Sequence, residues 1–296
     1  MTNSASILCI SDIQWEIPGK DTLDTLKTDV AEVSLSAVFF GGDVINDGGN
    51  SEEHLTEFVE LLRYLEDLEI SSFIIQGNHD EYSSYDKLEQ HIHHLEYADE
   101  ISGEVVEFNG LKILGLPYSY THYLRNARQI SEEFSDEYDV VLAHAERSRR
   151  IWLFELDARF IITGHFAERL YQIQNHVFAS MGSYPTDIVK IEPGSGELTY
   201  TRRADSYYAS QDRYEAKVRV NNGVLTWERD EHEPDAVTLR RLQDREYANQ
   251  IERLLTAKTE VKTASKAKQK EIVEELLEMG IPKTHIREYI GRYDFL

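Results

Sequence analysis

Five short blocks of this 296-residue chain carry residues able to hold a metal ion: Asp12-Ile13-Gln14, Gly42-Asp43, Gly77-Asn78-His79-Asp80, His144, and Gly164-His165. Hard divalent cations take carboxylate and carbonyl oxygens, and imidazole widens the choice to manganese, iron and zinc. A set of Asp, Asn and His residues supplies both kinds of donor. Two ions about 3.5 to 4 Å apart can share a bridging carboxylate and a hydroxide that attacks phosphorus in line with the leaving oxygen. Positive charge at the same place stabilises the charge that gathers on the phosphoryl oxygens.

Elements that bring these blocks together can be read from the residues ahead of them. Each block follows an apolar run: Ile7-Leu8-Cys9-Ile10, Ala37-Val38-Phe39-Phe40, Phe73-Ile74-Ile75, Val140-Val141-Leu142 and Phe160-Ile161-Ile162. Runs of this length read as buried strands, and in open α/β folds ligands bind where the carboxyl ends of the strands converge. Between the runs lie segments of helical period, such as Glu52 to Leu68 with Leu55, Phe58, Val59, Leu62 and Leu65 in register. These predict helices covering a sheet. Asn109-Gly110 predicts a tight hairpin and with it a second sheet, and Tyr171 to Tyr200, with the turn Pro193-Gly194-Ser195-Gly196, adds further strand-like segments. A further hairpin is expected around Asn221-Asn222-Gly223, and a helix from Asp235 to Leu255.

The ordered blocks resemble the calcineurin-like metallophosphoesterase superfamily, whose signature is D-x-H, G-D, G-N-H-[DE], H and G-H-x-H. The resemblance covers Ala5 to Arg203. It implies an α/β fold of two packed sheets flanked by helices, and hydrolysis of a phosphate ester by metal-activated water. Asp43 would bridge two metals. Asn78, His144 and His165 would complete one site, with Asp12 and the Gln14 carbonyl at the other. His79 would stabilise the transition state or protonate the leaving oxygen, and Asp80 would orient and charge its ring. Manganese is the expected ion.

Two positions depart from the signature. Gln14 and Ala167 stand where the family has histidines, both at the site of Asp12. Alanine ligates nothing and a glutamine oxygen is a weak, neutral ligand, so one tight ion and one weak or absent ion are expected. Glu168 lies one residue beyond the gap, an offset that on a strand points the other way. The resemblance also admits a nuclease like the repair exonucleases of the same superfamily, or a scaffold that has lost its chemistry and binds a protein partner. Arg147, Arg149 and Arg150, just after His144, could grip a phosphate or form surface ion pairs.

Other residues have plainer readings. His91, His93 and His94 follow a helical stretch rich in Glu and Gln and read as a solvated face. His122 and His176 are substrate contacts or, more simply, loop and core positions. Asn46 and Asp47 suit a helix cap. Tyr118, Tyr120 and Tyr123 could stack a base or sugar, with packing beside the sheet the simpler role.

Composition narrows the partners. With 54 Asp and Glu against 31 Lys and Arg, the net charge is -23. Such a surplus repels nucleic acid phosphates, which bind by exchanging counterions for Lys and Arg. It also suits a protein kept hydrated in the salty cytosol of a halophilic archaeon. Cys9 is the single cysteine, which excludes a disulfide framework and a thiolate zinc site. No segment has the length and apolarity of a membrane span, so a cytoplasmic protein is expected. Three regions follow from these shifts: 1-204 as the metallophosphoesterase domain, 205-256 as a hairpin and helix extension, and 257-296 as a flexible or partly helical Lys-rich linker with a tail of two short helices, Glu271 to Met279 and Lys283 to Ile290. In that tail Leu276, Leu277, Ile281, Ile286 and Ile290 form an apolar stripe expected to dock on a protein partner or a second copy of the chain.

Overall fold

A computed structural model of the chain describes residues 5–13, 22–31, 34–45, 51–80, 85–123, 127–146, 150–165, 169–173, 176–181, 184, 187–202, 214–221, 224–228 and 235–291. In one sheet, β1 (Ile7–Ile10), β2 (Ala37–Phe40), β3 (Ser71–Ile74) and β4 (Ala98–Glu100) run parallel. The second sheet begins with β5 (Val105–Phe108) and β6 (Leu111–Leu116), continues with β7 (Glu137–His144), β8 (Asp157–Gly164) and β9 (Arg169–Ile173), and closes with β10 (His176–Ser180). Its order is β5-β6-β7-β8-β10-β9. Strands β11 (Asp187–Glu192) and β12 (Glu197–Arg202) return to the first sheet, and β13 (Tyr214–Asn221) and β14 (Val224–Glu228) extend it to the order β14-β13-β12-β11-β1-β2-β3-β4. The fold is the expected α/β sandwich. The five apolar runs are all strands, but they divide between two sheets rather than meeting at the edge of one.

Side-chain alternation explains why the sheets stack. Ile7, Cys9, Ala37 and Phe39 face Val140, Leu142, Phe160 and Ile162 in the core between the sheets. The alternate residues Leu8, Ile10, Val38 and Phe40 face outward against α1 (Thr22–Ala31), α2 (Ser51–Asp67) and α3 (Tyr85–Ile92). Leu55, Phe58, Val59, Leu62 and Leu65 of α2 are buried, as their helical spacing predicts. Burial pushes the Cys9 thiol far above its ordinary range, leaving it an inert filler.

The hairpin at Asn109-Gly110 has a two-residue loop with both φ angles positive, 50° and 79°, the mirror-image turn that suits strand twist. Short helices α4 (Tyr118–Tyr123) and α5 (Ala127–Glu133) and a 3-10 turn over Arg150–Glu155 lead toward the outer face of the second sheet. Most of that face is covered from far along the chain. Helices α6 (Asp235–Thr263), α7 (Lys266–Glu278) and α8 (Lys283–Ile290) bring Ile251, Leu254, Ala257, Leu276, Ile281 and Ile286 against Val141, Ala143, Ile161 and Phe178.

The structure corrects two expectations. The helix does not stop at Leu255, and the Lys-rich stretch, expected to be flexible or partly helical, is helical over Lys258–Thr263 and again from Lys266: Leu254, Ala257 and Val261 continue one buried face through the expected boundary at 256/257. Lys258 anchors that turn, its ammonium 2.5 Å from Glu155 and over the Tyr289 ring. The apolar stripe of the tail is also not left for a partner, because Leu276, Ile281, Ile286 and Ile290 are buried in the chain's own core. A sheet face so apolar must be covered by something, and fully burying each such side chain contributes about 1.5 to 3 kcal/mol. Among the described residues no helix is long and apolar enough to cross a membrane.

Candidate metal centre

Strand register sets the site. Ile10, Phe40 and Ile74 are level in the first sheet, and His144 pairs with Gly164 in the second. The loops leaving these strand ends therefore face one another across the top of the sandwich. Five described residues other than glycine have positive φ, and three are expected ligands: Asp12 (50°), Asp43 (52°) and His165 (64°). Left-handed backbone at a strand end costs about 1 to 3 kcal/mol and persists where surrounding contacts over-determine it. Here it turns each side chain out of the strand and into the gap between the sheets.

Those contacts are hydrogen bonds, some within one sheet's loops and some across the two sheets. The Asp12 carboxylate accepts from the Ser11 hydroxyl at 2.6 Å and from the His165 N–H at 3.0 Å. Asp43 accepts from the His79 N–H at 2.9 Å. His144 donates from Nδ1 to the Gly41 carbonyl at 2.7 Å, which leaves Nε2 facing the site. Around that Nε2 lie Asn78 Oδ1 at 3.1 Å, His165 Nδ1 at 3.2 Å and Asp43 Oδ2 at 3.3 Å. Asp43, His144 and His165 present ligating atoms all within 4.8 Å of one another. Metal-to-ligand bonds near 2.1 Å place neighbouring donors roughly 3.0 to 3.4 Å apart. The observed spacings and the mixed oxygen and nitrogen donors fit one divalent ion.

Two glycines are fixed by close approach. A Cβ on Gly164 would collide with the Ser11 hydroxyl and the Gly41 carbonyl, and one on Gly77 with the Asp43 carboxylate. We expect Gly164→Ala to lower folding stability by about 1 to 3 kcal/mol and to weaken metal binding with it, measured by chemical unfolding and metal titration. A variant of unchanged stability would show that the loops can part without loss.

Charge is concentrated and mutually adjusted. Burial pushes Asp12 up to about 6, against the attraction of His144. Burial also opposes ionisation of Asp43, but the His144 charge and hydrogen bond hold it below the usual carboxylate range. Burial disfavours the His144 cation, yet Asp43 and then Asp12 outweigh it and carry the imidazole up to about 9. His165 is pushed down to about 4 by burial and the neighbouring His144 charge, and so is neutral at pH 7. A metal ion and a proton therefore compete for His144 Nε2. Apparent metal affinity should rise about tenfold per pH unit up to about 9 and level off above it, with about one proton released at pH 7.5. Calorimetry in buffers of different ionisation enthalpy reads this directly; no proton release would contradict it.

The remaining expected residues are placed as follows. Asp80 is buried under the site, its oxygens accepting from the N–H groups of Asp43 (2.8 Å), Ile45 (2.8 Å) and Gly77 (2.7 Å). Burial and the nearby Asp43 charge raise it to about 7. These bonds make it a clamp on two ligand loops. His79 is half-buried beside Asp43. Gln14, Ala167, Glu168, Asn46, Asp47, Arg147 and Arg149 lie outside the described residues. Arg150 is not a phosphate grip: it is buried and donates to the carbonyls of Ala145 (3.1 Å), Gly164 (3.2 Å) and His165. His91, His93 and His94 are exposed at the end of α3. His176 is buried on β10 against the Ala158 carbonyl, a core position. Tyr120 packs on Phe134.

His122 lies nearer the site than a loop position would. It stacks on Tyr118 at 5.1 Å, and the Tyr118 ring lies 5.4 Å from that of His165. The residue missed in the sequence is Glu146, which accepts from the Tyr118 hydroxyl at 2.8 Å and sits 3.1 Å from His122 Nδ1. Its position two residues past His144, at a strand end, was the available signal.

Comparison with known proteins bears on the family and the fold. A family model described as calcineurin-like phosphoesterase matches residues 5–169. No curated protein matches the chain. One solved structure aligns over 67% of this chain and 99% of its own with a TM-score of 0.52 and 11% identity. TT1561 of Thermus thermophilus aligns over 72% and 98% at 8% identity and a TM-score of 0.43. Vacuolar Protein Sorting 29 from Cryptosporidium parvum aligns over 76% and 96% at 13% identity and a TM-score of 0.37. The first of these likenesses supports the fold, and none of the three speaks to activity.

Proposed function

Because this chain belongs to the calcineurin-like phosphoesterase family, we propose that it hydrolyses a phosphate ester at a divalent ion held by Asp43, Asn78, His144 and His165. The observation that carries this reading is the convergence of three donor atoms within 3.3 Å of His144 Nε2. Bound there, a divalent ion supplies positive charge to the phosphoryl oxygens and acidifies water. Manganese suits a donor set of carboxylate, amide oxygen and imidazole. Asp12 and Asp43 would hold a second, weaker ion.

The chain's own residues do the rest. Asp43, fixed by the His79 N–H, keeps its other oxygen toward His144 Nε2, where it would hold the ion. The Gly41 carbonyl holds the tautomer of His144. Asp80 and Arg150 hold the ligand loops at their spacing through backbone groups. His79 gives a proton to the leaving oxygen as the phosphorus–oxygen bond breaks, while the attacking water bonds to phosphorus and releases its proton to solvent. The nuclease alternative loses the one described arginine of its basic cluster, since Arg150 is committed to carbonyls.

A panel of phosphomonoesters, phosphodiesters, nucleotides and DNA, assayed with manganese in high salt, tests the proposal. Hydrolysis of one small ester class, abolished by chelation, is the expected result. Silence across the panel with metal bound would replace catalysis by binding, and a preference for DNA would select the nuclease.

A further inference from the structure

A cavity of ≈ 660 Å³ opens beside His165, and most of its wall is apolar. Ile151, Tyr247, Ile251, Leu254, Ile281 and Pro282 form that wall. All but Ile151 come from α6, α8 or the turn before α8, beyond the residues 5–169 that the family model matches. Specific bonds hold the wall in place. Gln250 donates from Nε2 to the Met279 carbonyl at 2.7 Å, tying α6 to the end of α7. Gly280, at φ 80°, ends α7, and the Ile281 N–H returns to the Leu276 carbonyl at 3.1 Å. That turn brings Ile281 to the cavity.

We propose that this cavity receives the leaving group of the ester and selects one that is uncharged and largely apolar, such as an aromatic ring system or short hydrocarbon. The inference rests on the hydrolytic reading above and assigns a substrate class to it. Three observations favour this occupant. The cavity lies against the metal centre, because His165 both lines it and presents Nδ1 to His144 Nε2. A group attached to a phosphoryl unit held at that centre would have this apolar space on the far side of His165. The volume lies within the roughly 300 to 1,000 Å³ of small-molecule sites. Charge excludes the alternatives: none of the described lining residues is lysine or arginine, Glu146 adds an acid, and the chain carries a net charge of -23. A polyphosphate or nucleic acid chain would meet repulsion there. Glu146 and His285 leave room for a polar edge on an otherwise apolar ligand.

The test uses manganese-loaded full-length protein. Binding of 2-naphthylphosphonate and methylphosphonate is measured by calorimetry, and hydrolysis of 2-naphthyl phosphate and glycerol phosphate is measured in parallel. We expect the naphthyl compound to bind at least about tenfold more tightly, since burying a ring system removes well over roughly 100 Å² of apolar surface from water. We expect kcat/KM to favour 2-naphthyl phosphate in the same direction. Tyr247→Ala, at a half-buried wall position away from the ligands, should reduce the preference severalfold with methylphosphonate affinity unchanged. Leu254→Trp, which fills the cavity, should remove it; if that variant does not fold, Tyr247→Ala decides alone. Equal affinity for the two phosphonates, or a preference indifferent to Tyr247→Ala, overturns the inference while leaving hydrolysis of glycerol phosphate to support the catalytic reading. Discrimination between phosphonates without hydrolysis of any ester overturns the catalytic reading and leaves the cavity as a binding site.

Discussion

Asp43→Asn should reduce hydrolysis by at least about a thousandfold while leaving the fold intact. The two carboxylate oxygens have different duties: one accepts from the His79 N–H at 2.9 Å, and the other stands 3.3 Å from His144 Nε2. An asparagine can satisfy the His79 N–H only by placing its oxygen there. Its NH2 group then points at the cation, where a donor repels a metal ion and cannot ligate it. The reverse orientation sets two N–H groups against each other in a buried site. Removing the charge also removes the largest influence raising the His144 pKa, so the imidazole proton is released more readily. That gain cannot compensate for a lost anionic ligand. Metal titration should show weaker binding and circular dichroism an unchanged fold; near-normal turnover would remove Asp43 from the mechanism.

His79→Ala should lower kcat by about a hundredfold or more, the usual contribution of a positioned acid or base, with metal content unchanged. Asp43 is bound by the backbone N–H of residue 79, which alanine keeps, so the substitution removes the imidazole without disturbing the ligand beside it. Asp80 still clamps the loops through the N–H groups of Asp43, Ile45 and Gly77. Esters with good leaving groups should suffer less than those with poor ones, because a weakly basic leaving oxygen needs no proton. Metal loss parallel to activity loss would make His79 a ligand instead.

Residues able to ligate were legible because metal chemistry restricts residue types and because each block follows an apolar run that reads as a buried strand. The assignment of Asp43, Asn78, His144 and His165 to one ion is what the resemblance to the calcineurin-like family implies, and the structure brings their side chains to one point. What residue types could not convey was backbone. The positive φ at Asp12, Asp43 and His165 follows from contacts between segments distant in sequence, such as the His165 N–H to Asp12. Arg150 shows the same limit: an arginine beside a metal motif suggests a phosphate grip, and only the fold reveals that carbonyls surround it. The Lys-rich stretch ahead of the last two helices was harder to read for a related reason. Lysines at 258, 262, 266, 268 and 270 suggest a solvated linker, yet lysine is a good helix former, and Leu254, Ala257 and Val261 keep an inward face beneath them. Alanine at 257 weakens that apolar signal. The uncovered face of the second sheet, which demands a partner, becomes visible only once the sheets are assembled.

Hydrolysis driven by one tightly held ion is tested most directly by following turnover against metal occupancy. Metal-free protein should be titrated with manganese while bound ion and the rate of ester hydrolysis are recorded on the same samples. The expected result is one tight equivalent, held by Asp43, Asn78, His144 and His165, with hydrolysis rising in step with its binding and any second ion entering at much higher concentration. Tight binding of that first ion with no turnover on any phosphate ester, at any further manganese concentration, would contradict it.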